Sequence, residues 1–356
     1  MAHLFVDISS HGFGHLAQTA PVLNRLVELR PDLRLTLRSG LPLAKLRQRI
    51  RIPFEHIAAA SDFGYVMIDA LTIDLPASRA RYQAQHADFA ARVDADAALL
   101  RNLGVKAVFS NVSYLPLAAA AQTGLPAVAL CSLNWADVYE HYFGADDIHA
   151  DMLAAYRSAL FLRATPGMPM PQLNRLEAIG PLAEPGRARR AELRAKLGAG
   201  STARIALVAL GGVPIRLPVE HWPVLPDTHW LVPTDWRVQR PDMHAIEPLL
   251  ADGWTFADLL RSVDSIVAKP GYGTFAEAAC NGTAVLYQRR TDGWPEQDCL
   301  IEWLQRHARC AEVSPADLLA GNLGPALDRC RQRAVLPAPT FTGLEQAAHH
   351  LMGLLA

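Results

Sequence analysis

The chain has 356 residues, 51% of them hydrophobic and 19% charged, with a net charge of −1 at pH 7. That length suits two cores rather than one, the apolar share excludes extended disorder, and the balanced charge argues against a nucleic-acid surface, which needs a basic excess. The five cysteines are odd in number and lack a C-x-x-C pair, so they read as free thiols of a reducing cytosol. No apolar run approaches the roughly 20 residues that cross a bilayer, and a strand rather than an export signal follows the first residues.

In chain order, residues 3–9 form an apolar strand of the kind buried on both faces of a parallel sheet. It runs into Ser10-His11-Gly12-Phe13-Gly14-His15 and then a helical pattern over 16–29. This turn is not G-x-G-x-x-G, so the dinucleotide fingerprint does not apply. A histidine here faces the crevice at the carboxyl ends of the strands, where a neutral imidazole can act as a general base near pH 7. Taken singly, such a histidine serves as readily to cap backbone groups or fill space. Strands are expected over 33–38, 54–57, 105–110 and 126–131, with helices over 79–103 and 115–123. Residues 132–143 mix aromatic and polar side chains at a strand's carboxyl end, suited either to an acceptor pocket or to helix core. A strand over 159–162 is expected to be the last of this half.

Three prolines and a glycine within 165–171 mark a domain edge, and the arginine-rich helix expected over 187–197 reads as a solvated linker face. A strand over 204–210 ends in Gly211-Gly212 and repeats the pattern at the start of the chain. The expected class is therefore α/β, with two Rossmann-like doubly wound domains at 1–165 and 204–356, a linker at 166–203, and a last helix able to pack back on the first domain. After a strand at 229–232, and then Trp254-Thr255-Phe256 before a helix over 257–263, comes the most telling stretch. The apolar strand 265–268 is broken by Lys269-Pro270-Gly271-Tyr272-Gly273, Thr274 opens a helix over 275–280, and Asn281-Gly282 stops it before a strand at 284–287. Glycines at a strand-to-helix turn admit a ligand to the backbone, and the free N–H groups and positive dipole end favour an anion, typically phosphate. Glu277, one turn in, lies at a distance suited to a sugar hydroxyl beside the phosphates. The plainer reading is a tight βα turn and nothing more. A charged loop, 288–297, and a tail helix, 344–355, complete the chain.

Three stretches together, Ser10-His-Gly-Phe-Gly-His15, Ser110-Asn-Val-Ser-Tyr-Leu-Pro116 with Asn134-Trp135, and Lys269-Pro-Gly-Tyr-Gly-Thr274 with Glu277 and Gly282, resemble GT-B glycosyltransferases. The resemblance is to the group containing the bacterial N-acetylglucosaminyltransferase of peptidoglycan precursor synthesis, and more so to the glycosyltransferase-like N-terminal half of plant arabinokinases. There is no room for a kinase domain, so kinase activity is not implied. The resemblance implies a nucleotide-sugar donor, UDP-linked, on the C-terminal domain and an unidentified acceptor on the N-terminal one, with no metal and no cofactor beyond the donor. It places Gly211, Gly212, Lys269, Gly271, Gly273 and Thr274 at the diphosphate and Glu277 at the ribose. Thr255 and Phe256 would meet the base, and Gln288, Glu296 and Gln297 the transferred sugar. His15 would be the catalytic base with His11 as helper, and Gly12, Gly14, Asn111, Asn134, Trp135 and Asp137 would form the acceptor side. Gln18 stands where the arabinokinase-like relatives often carry arginine. Nucleic acid is not an expected partner, and peripheral membrane association stays open. Two other readings carry weight: a hydrolysing nucleotide-sugar 2-epimerase, which needs carboxylates such as Asp292 and Glu296 around the sugar, and a non-catalytic nucleotide-sugar binder.

Overall fold

The computed structural model describes residues 2–211 and 215–355, which fold around two parallel sheets. The first has seven strands: β1 (His3–Ile8), β2 (Arg34–Arg38), β3 (Glu55–Ile57), β4 (Ala107–Asn111), β5 (Ala127–Cys131), β6 (Leu160–Ala164) and β7 (Leu176–Ile179), in the order β3-β2-β1-β4-β5-β6-β7. The second has six: β8 (Arg204–Val208), β9 (Thr228–Val232), β10 (Met243–Ala245), β11 (Ser265–Ala268), β12 (Ala284–Tyr287) and β13 (Cys310–Glu312), in the order β10-β9-β8-β11-β12-β13. Helices cover both sheets, and strands such as β1 and β11 are buried along their whole length, as parallel sheets require.

Each sheet reverses its strand order once, between β1 and β4 in the first and between β8 and β11 in the second. At such a switch point the two loops leave in opposite directions and open a crevice at the carboxyl ends of the strands. The His11–His15 turn follows β1, Asn111 ends β4, Gly211 lies just beyond β8, and Lys269–Gly271 follows β11. The site residues therefore collect at two switch points that face each other across one cleft.

Several boundaries differ from the sequence reading. β7 lies in the segment assigned to the linker, so the first sheet runs to Ile179. The helix expected over 79–103 is two, Leu75–His86 and Phe89–Leu103. The helix after β1 begins at Phe13 and carries Pro21 in its interior. The tail helix Thr342–Leu354 packs on the helix Phe13–Leu29 and on β7, where Arg25 pairs with Glu345, Arg30 donates to Leu355 O at 2.6 Å and His350 meets Glu177.

The two domains touch through residues of the cleft itself. A Cβ on Gly273 would lie 2.9 Å from the Ala17 Cβ, so the helix Tyr272–Asn281 approaches Phe13–Leu29 only because that position is bare. Trp294 of the second domain joins the aromatic core of the first. Lys269 Nζ donates to Ala70 O at 2.8 Å, and Arg49 forms an ion pair with Glu277.

Candidate active site

Two cavities meet in the cleft. The larger, about 450 Å³, is lined by Lys45, Gln48 and Arg49 of the first domain and by Trp236, Phe256 and Glu277 of the second. The smaller, about 120 Å³, is lined by His11, His15, Gln18, Lys269, Arg290, Trp294 and Glu296 among others. Phe13, Gly14, Gly211, Gly273 and Thr274 line both, and form the waist where one cavity passes into the other.

Two helices begin at that waist. Phe13–Leu29 starts after Gly12 and Tyr272–Asn281 after Gly271, and neither has a side-chain cap. In the second, the first turn closes with Phe275 N–H to Gly271 O at 3.1 Å. The N–H groups of Tyr272, Gly273 and Thr274 come before that bond and are left for a ligand. Two positive dipole ends thus face one point, where each alone favours an anion. Lys269 adds a formal charge there. Burial first, and then Arg290, push its ammonium down to about 8, so it stays largely protonated at neutral pH. Gly211 holds a φ of +95°, a backbone shape that suits glycine, with the Lys269 stem 3.1 Å from where a Cβ would stand.

His15 sits on the first turn of its helix and is 7% exposed. Its Nδ1 lies 3.0 Å from Asn111 Oδ1, Asn111 Nδ2 donates to Gln18 Oε1 at 3.2 Å, and Gln18 Nε2 donates to Ser132 Oγ at 3.1 Å. Ser132 and Glu296 both line the smaller cavity. An amide oxygen can only accept, so against Asn111 Oδ1 His15 is the donor through Nδ1–H. Its Nε2 is left with a lone pair. Burial lowers the His15 pKa to about 4 against the opposing pull of Asn111, so the ring is neutral at physiological pH.

The aromatic wall is built around His11. Its ring stacks on Trp294 at 5.9 Å and meets Trp135 edge-on at 5.3 Å. Trp135 is fixed in turn by its Nε1–H, 2.7 Å from Asp62 Oδ2, and Asp62 also accepts the Ser9 hydroxyl at 2.9 Å. Burial and then the charge of Asp7 raise the Asp62 pKa to about 6. Glu296 is 5% exposed, with burial raising its pKa. Trp294 Nε1–H reaches its Oε2 at 3.2 Å, while Oε1 is buried without a geometrically sound partner.

Of the residues singled out in the sequence, the cavities bring together His11, Gly12, Gly14, His15, Gly211, Phe256, Lys269, Gly271, Gly273, Thr274, Glu277 and Glu296. Others stand behind the site or elsewhere. Asn111 orients His15 from below, and Trp135 backs the histidines as a buried wall. Thr255 caps the helix Phe256–Ser262 in a capping box with Asp258 and lines neither cavity. Asn134 caps Trp135–Phe143 by accepting the Asp137 N–H, and neither Asn134 nor Asp137 lines either cavity. Gln297 holds the backbone of Arg290 through both its amide atoms, and Gln288 lines neither cavity. Gly212 lies outside the described residues. Glu277 is reached from the larger cavity but already holds Arg49. The sequence reading missed Lys45, Gln48 and Arg49, on the helix Leu43–Arg49 that follows Gly40, and Trp236, in a three-residue turn after β9.

No family model matches the chain. It is 26% identical over 352 residues, 97% of its length, to L-arabinokinase of Arabidopsis thaliana, and spans 33% of that relative. Among solved structures it is similar to the calicheamicin glycosyltransferase CalG4, at a TM-score of 0.63 and 17% identity over 100% of this chain and 98% of that one. UGT89C1 of Arabidopsis thaliana, solved with UDP, gives 0.57 and 13% over 100% of both chains. A protein assigned as UDP-N-acetylglucosamine 2-epimerase from Listeria monocytogenes gives 0.57 and 12% over 99% of this chain and 96% of that one. Two parallel doubly wound sheets with their switch points facing one cleft, superposable on these enzymes along the whole chain, give this protein the GT-B glycosyltransferase fold.

Proposed function

We propose that the protein is a nucleotide-sugar-dependent glycosyltransferase. The observation that carries this is the waist: two uncapped helix N-termini, one from each domain, converge with Lys269 between a large cavity and a small one. That arrangement suits a ligand with a doubly charged centre and two different ends. The diphosphate sits at the waist, the nucleoside in the larger cavity against Trp236, Phe256 and Glu277, and the sugar in the smaller one. UDP is bound by the structural relative UGT89C1, and a uracil nucleotide is the first donor to test.

In the reaction, an acceptor hydroxyl gives its proton to His15 Nε2 as its oxygen attacks the anomeric carbon. The bond from that carbon to the phosphate oxygen breaks, and its electron pair leaves with the diphosphate. The helix N–H groups and Lys269 meet the charge that develops there. A pKa near 4 would make His15 a weak base, but the nearby negative charge of a bound diphosphate raises it toward a useful value. The test is a donor-consumption assay across nucleotide sugars with and without an acceptor mixture. Acceptor-dependent release of nucleoside diphosphate, lost in His15→Ala by about 10²–10⁴-fold, supports the reading. Tight nucleotide binding with no turnover would make the protein a binder.

One observation favours a second reading. Glu296, buried and with a raised pKa, shares the small cavity with His15, and a carboxyl facing a base is what a hydrolysing 2-epimerase would use. Release of a free, epimerised sugar without acceptor would select it.

A further inference from the structure

We propose that His11 and His15 are held in opposite neutral tautomers, and that His11 donates a hydrogen bond from Nε2 to an oxygen of the sugar bound in the small cavity. The sugar-binding half rests on the glycosyl-transfer reading; the tautomers do not.

His11 Nδ1 lies 3.2 Å from the backbone nitrogen of Tyr65. A backbone amide can only donate, so Nδ1 is the bare nitrogen and a neutral ring carries its proton on Nε2. For His15 the hydrogen-bond chain through Asn111, Gln18 and Ser132 gives the reverse: proton on Nδ1, lone pair on Nε2. Both rings line the same cavity with centroids 6.4 Å apart. Among the described residues, no protein atom hydrogen-bonds either Nε2.

The His11 ring cannot swing away to find another partner. Trp294 covers one face, Trp135 stands at its edge, and its Cγ lies 2.6 Å from where a Cβ on Gly64 would be. The groups facing it also hold it neutral. Burial acts first, and then the nearby His15, Lys269 and Arg290 lower its pKa to about 3 against the opposing pull of the Phe63 backbone; the Glu296 carboxyl across the cavity is the acidic group among the described lining residues. A clamped, neutral N–H in a closed cavity suits an oxygen lone pair. Beside it the His15 lone pair suits a hydroxyl proton. Two identical tautomers would compete for one kind of group, whereas opposite ones assign the acceptor hydroxyl to His15 and a sugar oxygen to His11.

The test uses the full chain labelled with ¹⁵N-histidine. Long-range proton–nitrogen correlation spectra are recorded from pH 5 to 8, with signals assigned by their loss in His11→Gln and His15→Gln. The expected pattern is an Nε2–H ring for His11 and an Nδ1–H ring for His15, both neutral down to about pH 5. The same tautomer in both, or protonation of either above pH 6, overturns the assignment whether or not the protein transfers sugar. UDP-glucose and other UDP-sugars are then compared with UDP. A shift of the His11 Nε2 signal with a bound sugar nucleotide but not with UDP supports the sugar contact, and no sugar-dependent shift overturns it. With a productive donor, His11→Gln, whose amide N–H falls near Nε2, should stay within about tenfold of wild type in kcat/KM. His11→Asn, whose carbonyl falls near Nδ1 and can still accept from Tyr65, should lose on the order of 10²–10³-fold. The reverse ranking would mean that His11 only anchors the Tyr65 loop.

Discussion

Replacing Asn111 with aspartate is the sharpest perturbation of the base. The side chain keeps its size, but the atom 3.0 Å from His15 Nδ1 becomes part of a carboxylate. An opposite charge at this range raises a histidine pKa by about 1–3 units, each worth about 1.4 kcal/mol. From its value of about 4 in the parent protein, His15 should move into the range of about 5 to 7. Aspartate cannot donate to Gln18 Oε1, so the Gln18 amide must turn and present its N–H instead. The assay is the pH dependence of kcat/KM between pH 4 and 9, which reports ionisations of the free enzyme. The acid limb should move upward by 1–3 units in Asn111→Asp. In Asn111→Leu it should not rise and the rate should fall, because nothing then holds the tautomer. An unmoved acid limb in a folded Asn111→Asp protein would refute His15 as the group titrating in that limb.

Four further outcomes follow from the cleft. Glu277→Gln should weaken nucleoside diphosphate binding by roughly 1.5–3 kcal/mol, the loss of one charge-assisted hydrogen bond, and calorimetry showing unchanged affinity removes Glu277 from the site; Arg49→Met should destabilise the fold by about 3–5 kcal/mol by leaving that buried carboxylate unpaired, measured by denaturant unfolding. Gly273→Ala should cost about 1–3 kcal/mol by pressing a methyl on Ala17 and weaken nucleotide binding; adding Ala17→Gly should restore both, and failure of that rescue would mean Gly273 is needed for the ligand rather than for domain contact. The stability that neutral His11 and His15 contribute should be lost as pH drops from about 6.5 toward 4, because the unfolded chain binds protons there that the folded chain refuses, while buried Asp62 acts the other way; the difference in unfolding free energy between pH 7 and 4.5 should shift toward higher relative stability at pH 4.5 in His15→Gln.

The architecture was readable because its signals are local. A strand that ends in glycines and opens a helix is written in consecutive residues, and two such units half a chain apart imply two sheets. β10 and β13 escaped notice because three residues carry no period, and β7 because Pro-rich flanks outweighed its four residues. At the site, the glycine turns bring His15, Lys269 and Thr274 to one cavity. Thr255 and Asn134 misled for one reason: a polar residue before a helix can serve a ligand or the helix end, and only the N–H it meets decides. Gln18 shows the converse. Its mismatch with the arginine of related chains left its role open, and its amide proves to join Asn111 to Ser132. Arg49 was invisible because its partner is 228 positions away.

The contacts that close the domains are also the contacts that complete the site, which ties affinity to closure. Gly273 meets Ala17 at the waist, Lys269 reaches across to Ala70, Trp294 enters the first domain's core to stack on His11, and Arg49 neutralises Glu277. Opening the cleft would strip His11 of one wall and leave Glu277 without its cation. His11 is then clamped beside the base only when the second domain is in place. A diphosphate at the waist draws two positive helix ends and Lys269 onto one point, so the ligand's charge offsets a repulsion that the empty closed form must carry. Donor binding should for that reason favour the same closed arrangement that clamps His11 against Trp294, and substrate occupancy and completion of the site become one equilibrium.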